Sequence, residues 1–186
     1  MFLRRVTDAI ELRQFELWHA EAVFAAADRN RQYLREWLPW VDQTRSAKEI
    51  REFILRAIAQ YNANQGPNAG IWVNGEFAGA IGCHHIDWIN RACSIGYWLD
   101  AAHQGQGIIT RSCRSLLAYL FEDAGLHRVV IQCGTGNEKS GAIPRRLGFT
   151  REGVSRDAQW VNDRWIDLVV WSMLNCEWAA GHGDSS

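Results

Sequence analysis

Two glycines separated by one residue mark the stretch of this sequence best suited to bind a ligand. Gly105 and Gly107 precede apolar residues that recur at the spacing of an amphipathic helix across residues 109–124. Glycine allows the backbone to turn sharply and to approach a ligand closely. The unpaired amides of a first helical turn and the positive end of the helix dipole favour an anion. The predicted anion-binding loop comprises Gln104, Gly105, Gln106, Gly107, Ile108, Ile109 and Thr110.

Two familiar nucleotide-binding loops do not fit this stretch. A P-loop requires lysine and then serine or threonine directly after its last glycine, whereas Ile108 and Ile109 follow Gly107. A dinucleotide-binding loop requires a third glycine, where this chain has Thr110, and it lies near the first strand of its sheet. The anion is therefore not held in either of these ways.

Composition and charge limit the class of protein. Hydrophobic residues make up 47% of the 186 residues, which predicts a single globular domain over residues 1–180 with a disordered tail at 181–186. The net charge of −1 argues against a nucleic-acid partner. No apolar run is as long as a membrane span, and the N-terminus lacks a signal-peptide pattern. We therefore expect a cytoplasmic protein with no membrane partner.

The cysteines and histidines do not form a metal-binding pattern. The five cysteines are widely spaced, have no C-x-x-C pair and are mostly set among apolar neighbours, so they are predicted to be buried thiols. His84 and His85 are adjacent, and adjacent residues on a strand point to opposite faces. No metal site is predicted.

Apolar periodicity predicts the elements that position the loop. Helices are expected at residues 19–35, after the Ser46 cap, after the glycine loop and at residues 139–147. Strands are expected at residues 10–15, 69–73, 77–83, 93–99, 128–133, 150–160 and 165–173. The segment between the first two helices is aromatic and contains Trp37 and Trp40. The chain is thus predicted to mix strands and helices in an α/β fold.

The order of these pieces resembles that of the GCN5-related N-acetyltransferase (GNAT) family. The resemblance is carried by the strand that ends at Trp98 and Leu99, the glycine loop and its helix, the pair Asn137 and Ser140, and the run Leu147-Gly148-Phe149. Within the family, the chain is similar to the branch that acetylates ribosomal-protein N-termini. The resemblance implies a mixed, mostly antiparallel sheet of about seven strands, splayed between two central parallel strands and flanked by about four helices.

The resemblance also implies acetyl-CoA as the co-substrate. The loop amides would hold its diphosphate, the main chain of Trp98 and Leu99 would bond the pantetheine arm in the splay, and the Asn137 side-chain amide would bond the same arm. The family pattern starts with Gln or Arg three residues before the first glycine, where this chain has Ala102. His103 and Gln104 are candidates to compensate.

The catalytic residues that the resemblance implies depart from the family pattern in two places. Many members have a tyrosine acid where this chain has Pro144, so Ser140 becomes the candidate proton donor, unless its hydroxyl only caps a helix. The Leu99 amide is the candidate oxyanion donor. A related enzyme has a carboxylate where this chain has Gln159, so His84, Asp157 or a water is left as the base. A strand histidine is often only a core residue.

The acceptor amine is expected beside the aromatic segment. Trp37 and Trp40 would form a wall of the acceptor groove, Gln159 would border it, and Arg35 or Glu36 would orient the acceptor's charged end. The leading acceptor is a protein N-terminus, and the alternative is a small amine or an aminoacyl-nucleotide antibiotic. A third possibility is a non-catalytic acyl-CoA-binding module. The apolar strand near Trp171 makes a homodimer plausible.

Overall fold

The computed structural model describes residues 1–182, and its centre is one sheet of eight strands. The strands follow the order β1-β2-β3-β4-β5-β6-β8-β7, and every neighbouring pair is antiparallel except β5 with β6. Their bounds are β1 (Leu3–Arg5), β2 (Ile10–Gln14), β3 (Asn68–Val73), β4 (Glu76–Asp87), β5 (Ala92–Leu99), β6 (Arg128–Gly134), β7 (Thr150–Val161) and β8 (Arg164–Leu174). The predicted seven strands are present, and the eighth, β1, was not predicted because three residues with two arginines give no apolar alternation.

Six α-helices flank the sheet in the described part of the chain. They are α1 (Ala20–Arg29), α2 (Arg31–Leu34), α3 (Ala47–Asn62), α4 (Ile108–Ala118), α5 (Glu138–Leu147) and α6 (Asn175–His182). The predicted helix at residues 19–35 is divided at Asn30, where the backbone leaves the helical conformation. The Asn30 side chain donates a hydrogen bond to the Ala26 carbonyl at 2.7 Å. Helix α3 begins at the predicted Ser46, which forms a capping box with Glu49.

The C-terminal prediction needs a correction. Residues 181 and 182 were assigned to a disordered tail, but the chain continues there as the last turn of α6, because the amphipathic signal of this short helix is weak. The rest of the predicted tail, residues 183–186, lies outside the described residues.

The core lies on both faces of the sheet. On one face, α4 packs against alternate residues of the central strands, among them Ile95 and Leu99. On the other face, α1 and α3 enclose a second cluster that includes Phe77, with Trp98 packed against it. Cys83, Cys93, Cys113 and Cys133 are buried free thiols as predicted, whereas Cys176 is exposed on α6. No helix in residues 1–182 is long and apolar enough to cross a membrane.

The two parallel strands at the centre, β5 and β6, are paired over their first residues and then separate. Pairing joins Ala92 to Arg128 and continues only as far as Ile95 with Ile131. The second half of β5 and the last residues of β6 therefore diverge, and a wedge opens between them. The splay predicted from the family resemblance is present.

Candidate functional site

A large cleft of about 2050 Å³ lies at this splay and connects both sides of the sheet. Most of the residues predicted from the sequence line it. They are Trp37, Trp40, His84, Trp98, Leu99, Gln104, Gly105, Gly107, Ile108, Ile109, Thr110, Asn137, Ser140 and Gln159. Glu36 and His103 line it as well, whereas three predicted residues, Arg35, Gln106 and Asp157, do not.

The glycine loop has the geometry that an anion requires. Gly105 and Gly107 have φ of +76° and +69°, in the left-handed region that favours glycine, and Gly107 is the N-cap of α4. The amide of Arg111 makes the first helical hydrogen bond, to the Gly107 carbonyl at 3.1 Å. The amides that precede Arg111 in the first turn of α4 therefore have no partner within the helix, and they lie at the end of the cleft.

A buried carboxylate fixes the start of the loop. Asp100 is 3% exposed, and its Oδ1 accepts from the Ala102 amide at 3.0 Å, while Oδ2 accepts from Arg29 Nε at 2.6 Å. Asn30 Oδ1 accepts from the neighbouring Ala101 amide at 3.0 Å. Burial alone would raise the pKa of Asp100, but these hydrogen bonds and the Arg29 charge lower it, so the carboxylate is ionised. The helix break at Asn30 thus anchors the loop.

Two basic side chains that the sequence analysis missed lie at the loop. Lys139 Nζ donates to Gln104 Oε1 at 2.9 Å, and Arg111 Nη2 donates to the Gln106 carbonyl at 2.7 Å. Both residues line the cleft. Gln106 itself faces outward, with its side-chain amide 3.4 Å from the Ala102 carbonyl, so only its backbone serves the loop. Where the family pattern has Gln or Arg and this chain has Ala102, Arg111 of α4 and Lys139 of α5 bring positive charge to the loop.

The strand register shows which backbone groups face the gap. The Asp100 amide donates to the Ala78 carbonyl at 2.7 Å, and Trp98 lies opposite Ala80 in the same register. Because bonded pairs alternate along an antiparallel ladder, the N–H and C=O of Trp98 point to β4, and those of Leu99 point into the gap. The orientation of the Trp98 main chain does not favour its predicted bond to the pantetheine arm, whereas the orientation of Leu99 agrees with its predicted role.

Tyr33 is a cleft residue that sequence reasoning did not find. Its hydroxyl donates to the Leu99 carbonyl, and burial raises its pKa to about 12, so it is protonated near neutral pH. Tyr33 is on α2, and 66 residues separate it from Leu99. A lone tyrosine in a predicted helix gives no signal of such a long-range contact.

The N-terminus of α5 brings the predicted Asn137 and Ser140 to the cleft. Asn137 is the N-cap, and its Oδ1 accepts from the Ser140 amide at 3.1 Å, which leaves its amide group as the donor available to a ligand. The cap is thus Asn137, not Ser140. The Ser140 carbonyl accepts from the buried hydroxyl of Tyr97 at 3.1 Å, which fixes the position of this turn.

His84 lies at the floor of the cleft and is not a core residue. Its Nδ1 is 3.0 Å from Ser94 Oγ on the neighbouring strand. The cleft walls partly desolvate the imidazole and lower its pKa below the usual 6.5, so it is neutral near pH 7. His84 is thus able to accept a proton there.

The aromatic wall forms as predicted, but two polar residues do not reach it. The rings of Trp40 and Trp98 lie 5.9 Å apart, and Gln159 Nε2 donates to the Trp37 carbonyl at 3.3 Å. Arg35, predicted to orient the acceptor, makes two hydrogen bonds of 3.0 Å to Asp42 outside the cleft lining. Asp157, a predicted alternative base, is exposed on an irregular stretch of β7 and does not line the cleft.

One end of the cleft carries backbone N–H groups and basic side chains, and the other end carries the aromatic wall. This arrangement suits an elongated anionic ligand that meets a second molecule in the middle of the cleft. Thr110 Oγ1 and His103 Nδ1, both at the anion end, are buried with no hydrogen-bond partner in the described part of the chain.

Comparisons with known proteins agree with this geometry. A family model described as an acetyltransferase (GNAT) domain matches residues 9–150. The putative ribosomal N-acetyltransferase YdaF of Bacillus subtilis (strain 168) is 40% identical over 179 residues, which cover 96% of this chain and 98% of the relative.

Two solved structures share the fold. The RimL ribosomal L7/L12 alpha-N-protein acetyltransferase, in complex with coenzyme A, has a TM-score of 0.90 at 29% identity and covers 93% of this chain and 98% of its own. The microcin C7 self-immunity acetyltransferase MccE, in complex with acetyl-CoA and AMP, has a TM-score of 0.86 at 29% identity, with coverage of 91% and 94%. Both neighbours match almost the full length of the described chain.

Proposed function

Because this chain belongs to the GNAT acetyltransferase family, we propose that it transfers the acetyl group of acetyl-CoA to the N-terminal α-amine of a protein, and that this protein is ribosomal. The observation that carries the proposal is the continuous cleft, which joins the anion loop to the aromatic wall through the splay. The RimL neighbour supports it, since it is a ribosomal L7/L12 alpha-N-protein acetyltransferase in complex with coenzyme A.

In this proposal, acetyl-CoA supplies an activated thioester, and the chain holds it along the splay. The amides of Gly107 to Thr110 hold the diphosphate at the N-terminus of α4, where Arg111 and Lys139 add positive charge. The gap-facing backbone of Leu99 and the free amide of Asn137 bond the pantetheine arm.

The chain promotes the reaction mainly by alignment. The amine and the thioester meet in the middle of the cleft, and the Leu99 amide stabilises the negative charge on the carbonyl oxygen. The Ser140 hydroxyl, which the helix cap does not use, delivers a proton to the departing sulfur. An α-amine suits such a site because its pKa is about 2.5 units below that of lysine, so more of it is free at neutral pH.

The aromatic wall supports a second acceptor class. The half-buried rings of Trp37 and Trp40 line the cleft, where a planar group could stack on them, and the MccE neighbour is a complex with acetyl-CoA and AMP. A small amine or an aminoacyl-nucleotide antibiotic is therefore the alternative acceptor. A homodimer, a cytoplasmic location and a fold that forms one domain over residues 1–180 stay predictions.

A panel of acceptors tests the proposal. The purified protein is incubated with acetyl-CoA and with peptides that carry ribosomal-protein N-termini, with the same peptides blocked at the α-amine, or with aminoacyl adenylate analogues and polyamines. We expect CoA release with the free peptides and none with the blocked peptides. Across the whole panel, kcat/KM should be highest for the free peptides. Turnover confined to the nucleotide analogues would favour the alternative acceptor.

A further inference from the structure

A β-bulge aims one histidine at the cleft. Cys83 pairs with Ile95 and Ile86 pairs with Cys93, so His84 and His85 together face the single residue Ser94. The extra residue breaks the regular alternation of β4 and re-aims the side chains at this point. Both side chains are exposed, but only His84 lines the cleft.

Two residues of β5 define the surroundings of the His84 ring. Ser94 Oγ lies 3.0 Å from Nδ1. A Cβ atom at Gly96 would lie 3.1 Å from Cε1 and 3.2 Å from Nε2, closer than ordinary van der Waals contact. The absence of a side chain at Gly96 therefore leaves the Nε2 edge of the imidazole room beside β5, while Ser94 bonds the opposite nitrogen.

This ring lies on the side of the sheet where the acceptor wall stands. Successive residues of a strand point to opposite faces, so Ser94, Gly96 and Trp98 share one face of β5. Trp98 packs against Trp40 on that face, whereas Ile95 and Leu99 pack in the core beneath α4. His84 thus faces the space through which an amine would approach the splay.

We propose that His84 is the general base of acetyl transfer and that Ser94 is its positioning residue. The inference rests on the proposed function and deepens it. In the tautomer that this role requires, Nδ1–H donates to Ser94 Oγ, and Nε2 carries the free electron pair. Desolvation by the cleft walls lowers the pKa of His84 and keeps the imidazole neutral near pH 7.

The cleft contains one group that can accept a proton during the reaction and one that can donate a proton, and both exchange protons with solvent between turnovers. The amine nitrogen attacks the carbonyl carbon, so that a C–N bond forms while the C=O π pair moves onto oxygen, and His84 Nε2 takes the proton that the nitrogen must lose. The oxygen pair then re-forms the carbonyl as the sulfur leaves. The C–S bond then breaks, and the sulfur receives a proton from the Ser140 hydroxyl, which is reprotonated from solvent. His84 returns its proton to solvent before the next turnover.

The test compares two neighbouring histidines. In the purified full chain, His84→Gln should lower kcat with a peptide acceptor on the order of 10²-fold and leave the Kd of acetyl-CoA unchanged. His85→Gln, the matched control in the same bulge, should behave as the wild type. Added imidazole should restore part of the turnover of His84→Ala, because a small base can enter the space that the side chain leaves.

Ser94 needs a readout that a purely structural role would not change. Ser94→Ala should lower kcat by about 10-fold without raising the KM of either substrate, since one orienting hydrogen bond is lost. Ser94→Thr keeps the hydroxyl and should recover most of that loss. Gly96→Ala should lower kcat while acetyl-CoA still binds, because the new methyl group crowds the Nε2 edge.

Four outcomes would contradict the account, and they can be told apart. Wild-type kcat in His84→Gln would overturn the base, and wild-type kcat in Ser94→Ala would overturn the positioning role. Loss of acetyl-CoA binding in His84→Gln, in step with kcat, would show a structural role and also overturn the base. A wild-type protein that binds acetyl-CoA but acetylates no tested amine would overturn the proposed function itself.

Discussion

At the start of α5, Asn137 has a structural role, and we propose a catalytic role for Ser140. The sequence left open whether the Ser140 hydroxyl caps this helix, and the cap is the Asn137 side chain. The hydroxyl is therefore free for the reaction. Tyr97 holds the same turn from below through the Ser140 carbonyl, so a change at the hydroxyl need not disturb the turn.

The role of Ser140 can be separated from binding. Ser140→Ala should lower kcat on the order of 10²-fold, because the departing thiolate loses its proton donor, and the Kd of acetyl-CoA measured by calorimetry should not change. The capping bond uses the Ser140 amide, so the melting temperature should stay near that of the wild type. Unchanged turnover in this variant would sink the assignment.

Single residues were predictable where the local backbone decides their role. Gly107 needs a positive φ beside a helix start, and that requirement is visible in the sequence. Tyr33 and Arg35 depend on partners elsewhere in the fold, so periodicity could neither find the first nor reject the second. Tyr33 reaches across to Leu99, and Arg35 is held by Asp42.

At the scale of elements, the loop and α4 form the binding unit for the diphosphate. Gly107→Val should abolish acetyl-CoA binding in calorimetry, because valine resists φ of +69° and its Cβ would lie 3.3 Å from Arg111 Nη1. Gly125→Val is the control, since Gly125 has φ of +67° but lies after α4, away from the cleft lining. Both variants carry similar backbone strain, and retained binding in Gly107→Val would mean that the loop does not hold the phosphates.

The C-terminal hairpin is fastened to the sheet by an ionic cluster. Arg128 on β6 donates to Glu152 on β7 at 2.7 and 2.6 Å, and Ser172 Oγ on β8 donates to the same carboxylate at 2.9 Å. The Arg128 hydrogen bonds, followed by that of Ser172, lower the pKa of Glu152 to about 2. The ionised carboxylate is therefore favoured in the folded state.

The pH dependence of stability follows from the sign of that shift. An unfolded glutamate has a pKa of about 4.3, so the contribution of Glu152 is complete above that pH and is lost as the pH falls toward 2. Glu152→Gln should lower the free energy of unfolding by up to about 1 kcal/mol at pH 7, because solvent screens this partly exposed pair.

Urea denaturation of Glu152→Gln at pH 7 and at pH 2.5 measures this loss, which should shrink at the lower pH. Glu76→Gln, an exposed glutamate at the start of β4, is the control for the loss of one negative charge. An equal destabilisation by Glu152→Gln at both pH values would show that the carboxylate charge does not matter.

The sequence predicted whether a segment is a helix or a strand better than it predicted where that helix or strand begins, ends or is interrupted. Strong alternation and the turn signal at Asn74 and Gly75 predicted the central meander, since the pattern is local. The break at Asn30 was missed because it is set by the Asn30 side chain and its bond to Ala101, across the fold. The bulge at His84 was missed for the same reason, because an extra residue in a ladder shows only when the partner strand is in place.

For the whole molecule, function arises from two halves that separate at the sheet centre. The strands up to β5, with α1 to α3, carry the aromatic wall and His84, while α4, β6 and α5 carry most of the anion end and Ser140. The parallel pairing of β5 and β6 holds the halves together and then opens the gap. The family resemblance predicted this splay, which composition and periodicity alone could not.

The central claim is that this cleft acetylates an α-amine. The most direct measurement uses one peptide that carries both a free α-amine and a lysine, incubated with the purified protein and acetyl-CoA at neutral pH. Tandem mass spectrometry then locates the acetyl group. We predict a single acetyl group on the α-nitrogen, formed at a rate that falls in Ser140→Ala. Acetylation of the lysine alone, or no transfer to a panel of such peptides, would contradict the account.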